Sequence, residues 1–540
     1  MIVGNWIKLG GILMHDFLAP HQYNLIDEIE KFAADDQKKA LIICLENGDI
    51  EQLTYKQLLE LSYQTANVFK AHGLKKGDRL LIMLPRCKWA YSAYIGALKL
   101  GIIVVPCSDQ LRARDIDYRI RHAEASAIVV HEDYIQHFKD ENLNLFQNLT
   151  KFIIRDHEND QTALNVLVKE ADKKIDPIEI NRNDTAFISY TSGTTGIPKG
   201  AIHHHAWGYA HIRTTAKYWL GVQSGDIVWA TAAPGWQKWI WSPFLATLGS
   251  GATAFVYKGK FEADTYLHLI EKFAINVLCC TPTEYRMMIK CDSFGTYEYP
   301  QLRSAVSAGE PLNREVIERF KERYHVLIRD GYGQTENTLL IGTLLNTKQK
   351  IGSIGKPTPG NIVDIIDGFG EVVPHGQVGD IAVHIETPAL FKGYYREPER
   401  TAMQFRGDWY ITGDRARKDE DGYFWFEGRT DDMIISAGYT IGPFDIEDAL
   451  LQHPLVQECA VVASPDEVRG NVVKAFIVLK NVELAKDRDI VKELQEYVKS
   501  VIAPYSYPRK IEFLEELPKT MSGKIRRTEL RKREQQKGIN

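Results

Sequence analysis

A regular alternation of strand-like and helix-like patterns between residues 24 and 330 constrains the fold most strongly. Short apolar runs of strand length, such as residues 41–45 and 79–84, alternate with longer segments whose apolar residues recur at helical spacing. One such segment, residues 55–71, has Thr54 as a candidate N-cap and Gly73 just past its end. Because helices connect successive strands, the strands are expected to be parallel and buried on both faces. The alternation therefore predicts an α/β fold.

The rest of the 540-residue chain changes character, and its length calls for more than one core. After Gly352, short strands separated by Pro-Gly and Asp-Gly turns predict a β-rich subdomain. We predict a large N-terminal domain, residues 1–430, with two βα-rich sheets plus this subdomain. A small mobile α+β domain, residues 431–540, is expected to follow. The charged ending RRTELRKREQQKGIN predicts a solvated tail.

Composition excludes several classes of function. The chain has 44% hydrophobic residues, 25% charged residues and a formal net charge of −5, and no apolar run approaches the ~18 residues of a membrane span. A net negative charge argues against a general nucleic-acid surface, so an anionic ligand needs local donors. The seven cysteines are scattered without a C-x-x-C pair, which predicts reduced thiols and a cytoplasmic protein.

The start of the chain offers two initiation points. Lys8 interrupts the mildly apolar residues 1–13, and no small-residue cleavage site follows, so we predict no signal peptide. Two adjacent glycine codons, those of Gly10 and Gly11, fit a translated ribosome-binding site, which gives the hypothesis that translation starts at Met14. Mass spectrometry of protein expressed from its native upstream region tests this, and a dominant species beginning at Met1 would reject it.

Residues 190–200 read YTSGTTGIPKG and suit the wrapping of a phosphate. Their glycines allow backbone N–H groups to converge on an anion, while the hydroxyl residues and Lys199 add donors. The segment follows an apolar strand, residues 185–190, so we expect a mobile loop at a sheet edge. A Walker A loop is excluded, because Lys199 follows Pro198 and precedes Gly200. Composition alone also fits an ordinary polar surface loop.

The segment is similar to the phosphate loop of the adenylate-forming superfamily, which includes acyl-CoA synthetases, luciferases and peptide-synthetase adenylation domains. Four more segments match that superfamily in the expected order: SAGEPL at 307–312, DGYGQTE at 330–336, YITGD at 410–414 and ELPKTMSGKIRR at 516–527. The resemblance thus covers essentially the whole chain. Among subfamilies, the segments FKGYYREPERT, YTIGPFDIE, VVKAF and YSYPRKIEF resemble medium-chain acyl-CoA synthetases most closely.

The resemblance implies an ATP site and three catalytic residues. Lys524 on a mobile loop would stabilise charge during adenylate formation, Thr335 would contact the α-phosphate and the acyl carboxylate, and Glu336 would bind magnesium. Asp414 would bind the ribose hydroxyls with help from Arg429. The implied ATP-binding residues are Thr191, Ser192, Gly193, Thr194, Thr195, Gly196, Lys199, Gly309, Glu310, Pro311, Asp330, Gly331, Tyr332, Gly333, Gln334, Asp414 and Arg429.

The resemblance also implies an acyl pocket and a coenzyme A site. Residues 234–241, PGWQKWIW, would line the acyl chain, although their three tryptophans suit ordinary core packing equally well. The implied acyl-pocket residues are Trp236, Lys238, Trp239 and Gly333. The implied coenzyme A residues are Ala437, Gly438, Tyr439, Arg469, Tyr507 and Arg509, of which the last three fit a surface charge or core aromatic equally well. The C-terminal domain would rotate about Asp431 between two half-reactions.

Three local features bear on this interpretation. Relatives usually have an arginine where this chain has Thr440, so the thioester step loses a cation. The run 203–205 consists of three histidines, but no second ligand cluster at suitable spacing supports a metal site there. The segment 234–241 lacks the aspartate with which peptide-synthetase domains hold an ammonium group, which argues against an amino acid substrate.

The resemblance implies a cytoplasmic ATP- and magnesium-dependent acyl-CoA synthetase that joins a medium-chain carboxylic acid to coenzyme A. Gly333 stands where acetate-specific relatives have a tryptophan, so the pocket should be deep. An acetyl- or short-chain-CoA synthetase is the alternative enzyme, and Thr440 motivates a degenerate adenylate-binding protein without turnover. Retention of Glu336, Asp414 and Lys524 argues against the degenerate protein. The sequence leaves the oligomeric state open.

Overall fold

The computed structural model describes residues 14–138, 149–157, 159–191, 197–310, 312, 314–429, 432–436, 439–466, 470–486, 489–502, 507–519 and 525–537. Residues 1–13, which precede the hypothesised start at Met14, lie outside this description. The strands between residues 39 and 357 form two large sheets. Their strands are β1 (Lys39–Cys44), β2 (Ile50–Thr54), β3 (Arg79–Met83), β4 (Ile103–Pro106), β5 (Ala127–His131), β6 (Thr150–Ile154), β7 (Thr185–Thr191), β8 (Lys199–His204), β9 (Ile227–Ala230), β10 (Thr253–Tyr257), β11 (Val277–Cys280), β12 (Ser304–Ala308), β13 (Ile328–Gly333), β14 (Leu339–Gly342) and β15 (Lys356–Pro357).

The sheets are mainly parallel, as the βα alternation predicts. One has the order β15-β14-β13-β12-β11-β9-β10-β1-β2 and the other the order β6-β5-β3-β4-β7-β8. Antiparallel strands occur at the edges, where β2 pairs with β1, β14 with β13 and β8 with β7. Strand β2 was not predicted, because its sequence IEQLT is polar and lacks an apolar run.

Helices connect the strands and pack between and around the two sheets. They are α1 (Asp27–Glu30), α2 (Tyr55–Ala71), α3 (Lys88–Lys99), α4 (Ala113–Ala123), α5 (Leu164–Glu170), α6 (His205–His211), α7 (Gln237–Trp239), α8 (Ala263–Lys272), α9 (Pro282–Lys290) and α10 (Arg314–Tyr324). Helix α2 has the predicted bounds, because Thr54 and Gln57 form a reciprocal capping box. Helices α6 and α7 continue as π-helical segments, Ile212–Leu220 and Ile240–Ala246.

Both faces of the large sheets are buried. In β1, Leu41 and Ile43 join a core that also contains side chains of α2, α3 and the second sheet. Ile42 and Cys44, which point the other way, join a separate core with α8, α9 and α10. Because successive side chains of a strand alternate between faces, helices on both sides exclude water from the sheet.

A second part of the chain forms the β-rich region and the C-terminal elements. The strands are β16 (Val363–Ile366), β17 (Val378–His384), β18 (Phe405–Arg406), β19 (Trp409–Lys418), β20 (Phe424–Arg429), β21 (Ile434–Ser436), β22 (Tyr439–Ile441), β23 (Val456–Asp466), β24 (Gly470–Leu479) and β25 (Lys510–Phe513). The helices are α11 (Pro398–Ala402), α12 (Pro443–Leu451), α13 (Asp489–Val501) and α14 (Arg527–Lys537). Strands β16 to β20 form one sheet, and β23, β24 and β25 form another. The fold thus combines a large N-terminal α/β part with a smaller C-terminal part, as predicted.

The predicted solvated tail is wrong, because residues 527–537 form α14 and pack on the C-terminal sheet. Leu530 is fully buried in a cluster with Phe476 and Val478. Glu534 is also buried and lies 2.7 Å from the ammonium of Lys474. The charges of this segment therefore pair across the fold, and a compositional argument cannot show such long-range partners.

Strand β8 is covered on its outer side by residues 392–395. The Ile202 N–H donates to the carbonyl of Gly393 at 3.0 Å, and the Tyr395 N–H donates to the carbonyl of Gly200 at 2.8 Å. These backbone bonds join the second large sheet to the loop before α11. They also place Tyr394 beside the start of β8.

Among the described residues, no helix combines the length and the apolar character that crossing a membrane requires. All seven cysteines are free thiols, and five of them are buried. The prediction of unpaired cysteines is confirmed.

Candidate active site

Lys199, at the start of β8, lies beside Glu336, which is in the turn after β13. Thr191 and Lys199 are opposite each other at the loop end of the β7–β8 hairpin. The Lys199 ammonium is 3.2 Å from Glu336 Oε1; Glu336 is buried and Lys199 is partly buried. The Tyr394 hydroxyl donates to the same oxygen at 2.8 Å and also contacts Lys199. The structure therefore brings together the predicted phosphate-binding lysine and the predicted metal ligand.

The intervening phosphate-loop residues Ser192, Gly193, Thr194, Thr195 and Gly196 lie outside the described residues. Thr191 and Lys199 fix the two ends of that loop, since they are a register pair of the hairpin. A hairpin at the edge of the sheet is the predicted setting for the loop. The contacts of its glycines and hydroxyls stay a prediction.

The turn that carries Thr335 and Glu336 is held rigidly. The Asn337 side-chain oxygen accepts a hydrogen bond from the Gln334 N–H at 2.8 Å. The carbonyl of Thr335 is 2.7 Å from Nε2 of His203, so that nitrogen carries the proton and donates. Burial lowers the pKa of His203 to about 3, which keeps the imidazole neutral. The turn after β13 is therefore anchored from the β8 side.

Asp414 lies across from this turn and accepts two hydrogen bonds. The Tyr332 hydroxyl donates at 2.6 Å and the Gln334 amide at 2.8 Å, both to Oδ2. Burial, followed by the Asp414 carboxylate, raises the pKa of Tyr332, so its hydroxyl keeps its proton. Asp414 is opposite Arg429 in the register of β19 and β20. The predicted ribose-binding residues thus adjoin the segment Tyr332–Gln334.

The strands β12 and β13 bring two further predicted segments side by side. Ala308 and Gly331 are register partners, so Gly309 and Glu310 emerge next to Tyr332. Gly309 has φ +108 and open space where a Cβ would stand. The Glu310 carboxylate is 3.1 Å from Arg286. Pro311 lies outside the described residues. Because carboxyl ends of parallel strands line crevices in open α/β sheets, this edge suits a ligand.

Asp330 is buried within the same edge and differs from the other carboxylates. Its Oδ1 accepts a hydrogen bond from the Gly331 N–H at 2.9 Å. Burial raises its pKa to about 7, and backbone N–H groups oppose this shift only in part. Its side chain therefore holds the strand end, and its charge changes near neutral pH.

The tryptophans of residues 234–241 do not all face one way. Trp239 stacks on Phe244, with ring centroids 5.3 Å apart, and contacts Tyr94, so the core-packing alternative describes it. Trp236 is 42% exposed. The Lys238 ammonium donates to the carbonyl of Ala308 at 2.6 Å.

Gly333 lies against Trp241. A Cβ on Gly333 would stand 3.0 Å from the indole Cη2 of Trp241 and would overlap the carbonyl oxygen of Thr338. The absence of a side chain therefore permits close packing of the backbone against Thr338 and Trp241. A tryptophan at this position would have to displace the turn after β13.

The predicted coenzyme A residues that the structure describes lie together on the C-terminal part. The Arg509 guanidinium donates to the Tyr507 hydroxyl at 2.9 Å. The Lys499 ammonium lies over the Tyr507 ring, 4.2 Å from its centroid. Two cations around one aromatic ring suit a phosphorylated ligand. Ala437, Gly438, Arg469, the hinge Asp431 and the catalytic Lys524 lie outside the described residues, and Tyr439 is described only through the backbone of β22.

Sequence reasoning missed several residues that support this site. Tyr394 lies inside the quoted segment FKGYYREPERT, but nothing in that segment marks it as a partner of Glu336. His203 and Trp207 share a spacing of four residues, and the Trp207 indole donates to the carbonyl of Asn337 at 3.0 Å. His205 takes a different partner, since its Nδ1 accepts from the Leu25 N–H at 3.2 Å. The sequence signal that could have revealed this support is the pair of aromatic rings four positions apart, His203 and Trp207.

The donor set at Glu336 fits a magnesium ion. Mg²⁺ prefers carboxylate and phosphate oxygens. The contacts of Lys199 and Tyr394 both go to Oε1. A metal ion bound at Glu336 would take the place of the Lys199 ammonium as the positive partner of this carboxylate. The fit rests on the chemistry of these groups.

Comparison with known proteins gives a consistent result. The family model described as "AMP-binding enzyme" matches residues 29–395, and that described as "AMP-binding enzyme C-terminal domain" matches residues 445–524. The chain is 56% identical over 526 residues to the uncharacterized acyl-CoA ligase YtcI of Bacillus subtilis (strain 168), covering 97% of this chain and 98% of that protein. It is 41% identical over 500 residues to the mitochondrial acyl-coenzyme A synthetase ACSM3 of Rattus norvegicus, covering 90% and 85%.

A solved structure is similar over nearly the whole length. The anthranilate CoA ligase AuaEII, crystallised in complex with anthranoyl-AMP, superposes with a TM-score of 0.87 at 28% identity, covering 96% of this chain and 98% of that chain. The similarity therefore includes both the large N-terminal part and the smaller C-terminal part.

Proposed function

The chain belongs to the family of AMP-binding enzymes, and from this premise we propose that it is an ATP-dependent acyl-CoA synthetase for medium-chain carboxylic acids. The reaction joins the acid to the thiol of coenzyme A and converts ATP to AMP and pyrophosphate. The named relatives are acyl-CoA ligases or synthetases, which supports this class of reaction.

One observation carries the proposal. The turn after β13 places Glu336 beside Lys199 on one side and Gln334 beside Asp414 on the other. A cation beside a carboxylate suits a triphosphate with its metal, while the Asp414 carboxylate, whose oxygens accept hydrogen bonds, suits two ribose hydroxyls. A single nucleotide therefore spans the turn.

The first step forms the acyl-adenylate. A carboxylate oxygen of the acid attacks the α-phosphorus of ATP, and the bond to the leaving pyrophosphate breaks. Lys199 exchanges its contact with Glu336 for a phosphate oxygen, and Thr335 orients the α-phosphate and the acyl carboxylate. Magnesium, when bound at Glu336, neutralises charge on the triphosphate. Lys524 stabilises the charge that develops between the two reactants.

The second step forms the thioester. The sulfur of coenzyme A attacks the acyl carbonyl, the carbonyl–phosphate bond breaks, and AMP leaves. Tyr507, Arg509 and Lys499 bind the phosphorylated end of coenzyme A. Rotation about Asp431 brings residues 437–439 toward the adenylate and withdraws Lys524. Thr440 lacks the cation of related enzymes, so this step is the slower one.

The medium-chain substrate is supported by two observations. A relative with 41% identity is named as the ACSM3 acyl-coenzyme A synthetase, and by resemblance Gly333 stands where acetate-specific enzymes have a tryptophan. Each further buried methylene contributes about 0.8 kcal/mol. An acetate-specific enzyme is the alternative, and its kcat/KM would fall rather than rise as the acyl chain lengthens.

A panel of carboxylic acids tests the proposal. Pyrophosphate release is measured with acids from acetate to dodecanoate, with and without coenzyme A, and acyl-CoA is identified by mass spectrometry. We expect the highest kcat/KM between hexanoate and decanoate. Preference for acetate over octanoate would reject the medium-chain assignment, and ATP binding without pyrophosphate release from any acid would identify a degenerate binding protein. Lys524→Ala is the matched inactive enzyme, with adenylate formation lowered by ~10²- to 10³-fold.

A further inference from the structure

His211 links two walls of the region around Gly333. Its ring stacks on that of Trp207, with centroids 4.8 Å apart and planes 13° apart. Trp207 in turn contacts His203, so three rings at a spacing of four residues face the turn after β13. His203 and Trp207 donate to carbonyl oxygens of that turn. The two ring nitrogens of His211 instead make hydrogen bonds to Thr338 and Trp241.

The hydrogen bonds of His211 determine its tautomer. Nε2 lies 2.9 Å from the carbonyl oxygen of Trp241, which only accepts, so Nε2 carries the proton. Nδ1 lies 2.6 Å from the Thr338 hydroxyl and therefore accepts from it. The Thr338 oxygen is 3.0 Å from the hydroxyl of Thr215, which donates in turn. The ring is fully buried, and burial lowers its pKa to about 4, so it is neutral at physiological pH.

Both partners of His211 border Gly333. A Cβ on Gly333 would meet the carbonyl of Thr338 and the indole edge of Trp241. The Trp241 indole Nε1 is buried and has no hydrogen-bond partner among the described residues. The ring of Trp241 is thus oriented by packing and by its own backbone, whose carbonyl is bonded to His211.

We propose that His211 is a positioning residue that fixes Trp241 against Thr338 and thereby sets the acyl chain length the enzyme accepts. This inference rests on the proposed function, since the acyl chain is taken to pass Gly333. A neutral imidazole is suited to the role because it offers one donor and one acceptor on opposite edges, so it can bind a carbonyl and a hydroxyl at once. Removing the hydrogen bond of His211 to Thr338 or to Trp241 frees Trp241 to move away from Gly333, so that the pocket no longer ends at a fixed depth.

Four variants test the inference. Thr338→Val removes the donor to Nδ1 with little change in shape, and His211→Leu removes both bonds. His211→Gln keeps one donor and one acceptor and is the conservative rescue. Thr214→Val is the matched control, because its hydroxyl is equally buried but bonds only the backbone carbonyl of His211, at 3.2 Å.

The readout is the kcat/KM profile over straight-chain acids from butanoate to dodecanoate. For each variant, kcat/KM for the first acid beyond the wild-type optimum is divided by kcat/KM at that optimum, a ratio that does not depend on the folded fraction. We expect Thr338→Val and His211→Leu to raise this ratio about three- to tenfold, and His211→Gln and Thr214→Val to keep it within about twofold.

Wild-type ratios in Thr338→Val and His211→Leu would overturn the inference while leaving the proposed function intact. If His211→Leu does not fold, Thr338→Val decides alone. An equal rise in Thr214→Val would also overturn it, because any buried hydroxyl would then suffice. A wild-type enzyme that uses no acid would overturn the proposed function itself, and the inference with it.

Discussion

Asp330 and Glu336 lie on the same strand and the turn that follows, and both are buried, with 8% and 5% exposure, yet their surroundings differ. Asp330 accepts from a backbone N–H, and burial raises its pKa to about 7. Glu336 is paired with the Lys199 ammonium and accepts from the Tyr394 hydroxyl. Burial alone therefore does not fix the charge of a carboxyl group, whereas a paired cation stabilises its charged form. The two carboxyl groups therefore call for different tests, one of metal dependence at Glu336 and one of pH-dependent stability at Asp330.

Removing the charge of Glu336 should have the largest effect. In Glu336→Gln, Lys199 loses its buried counterion, and the metal ion loses a carboxylate ligand. We expect pyrophosphate release to fall ~10²- to 10³-fold and the Mg²⁺ concentration for half-maximal rate to rise. Titrations with MgCl₂ at saturating acid measure both. A variant with wild-type rate and Mg²⁺ dependence would show that Glu336 is not the metal ligand.

Removing the carboxyl of Asp330 should instead change the pH dependence of stability. Because its pKa in the folded protein, about 7, exceeds the ordinary 3.8, its contribution to folding is complete below about pH 4. That contribution is lost as the pH rises to 7. Asp330→Asn cannot titrate, so its free energy of unfolding should fall by a few kcal/mol less than that of the wild type across this window.

Urea unfolding of Asp330→Asn and wild type at several pH values between 4 and 8 gives the difference directly. Parallel stability curves would contradict the raised pKa. A loss of stability that is the same at every pH would assign Asp330 a purely structural role in holding the Gly331 N–H.

Asp414→Asn should have a smaller and different effect. The Tyr332 hydroxyl and the Gln334 amide both bind Oδ2 of Asp414, and a hydrogen bond from a ribose hydroxyl to a charged group contributes about 1.5–3 kcal/mol. We expect the KM for ATP to rise about tenfold or more, with an unchanged Mg²⁺ dependence. Kinetics with ATP and 2′-deoxy-ATP measure the change. An equal loss for both nucleotides would argue against a contact with the 2′-hydroxyl.

Tyr394→Phe should have the smallest effect. The variant removes one hydroxyl from Glu336 Oε1 but keeps the ion pair with Lys199, so the charge balance of the site persists. We expect kcat for pyrophosphate release to fall about two- to tenfold. A loss as large as that of Glu336→Gln would mean that Tyr394, rather than Lys199, keeps the carboxylate in place.

The sequence predicts the local features of the fold well where one local rule applies. Residues 55–71 form a helix with the predicted bounds because the Thr54 capping box fixes its start. Strands β1 and β3 form at the predicted apolar runs 41–45 and 79–84, because short apolar runs between helices have few alternatives. Strand β2 was missed, since an edge strand that is half-exposed needs no apolar pattern.

Features that depend on distant partners were not predictable. The charged ending forms α14 because Leu530, Glu534 and Arg527 each find a partner on other elements. Trp239 and Trp241 are two residues apart, look alike in sequence and are both buried in the same core, but only the three-dimensional arrangement places Trp241 beside Gly333. The motifs for Lys199, Glu336 and Asp414 predict a shared site, whereas Tyr394 and His211 required the three-dimensional arrangement.

The backbone bonds between β8 and residues 392–395 also bear on how the protein can be divided. A fragment that ends before residue 392 would leave the N–H and C=O groups along the outer side of β8 without partners. Such an open strand edge is a template for pairing with another chain. Shortened versions of the protein should therefore self-associate, and a fragment that keeps these residues should remain monodisperse in light scattering. Division sites for fragment complementation belong downstream of Tyr395.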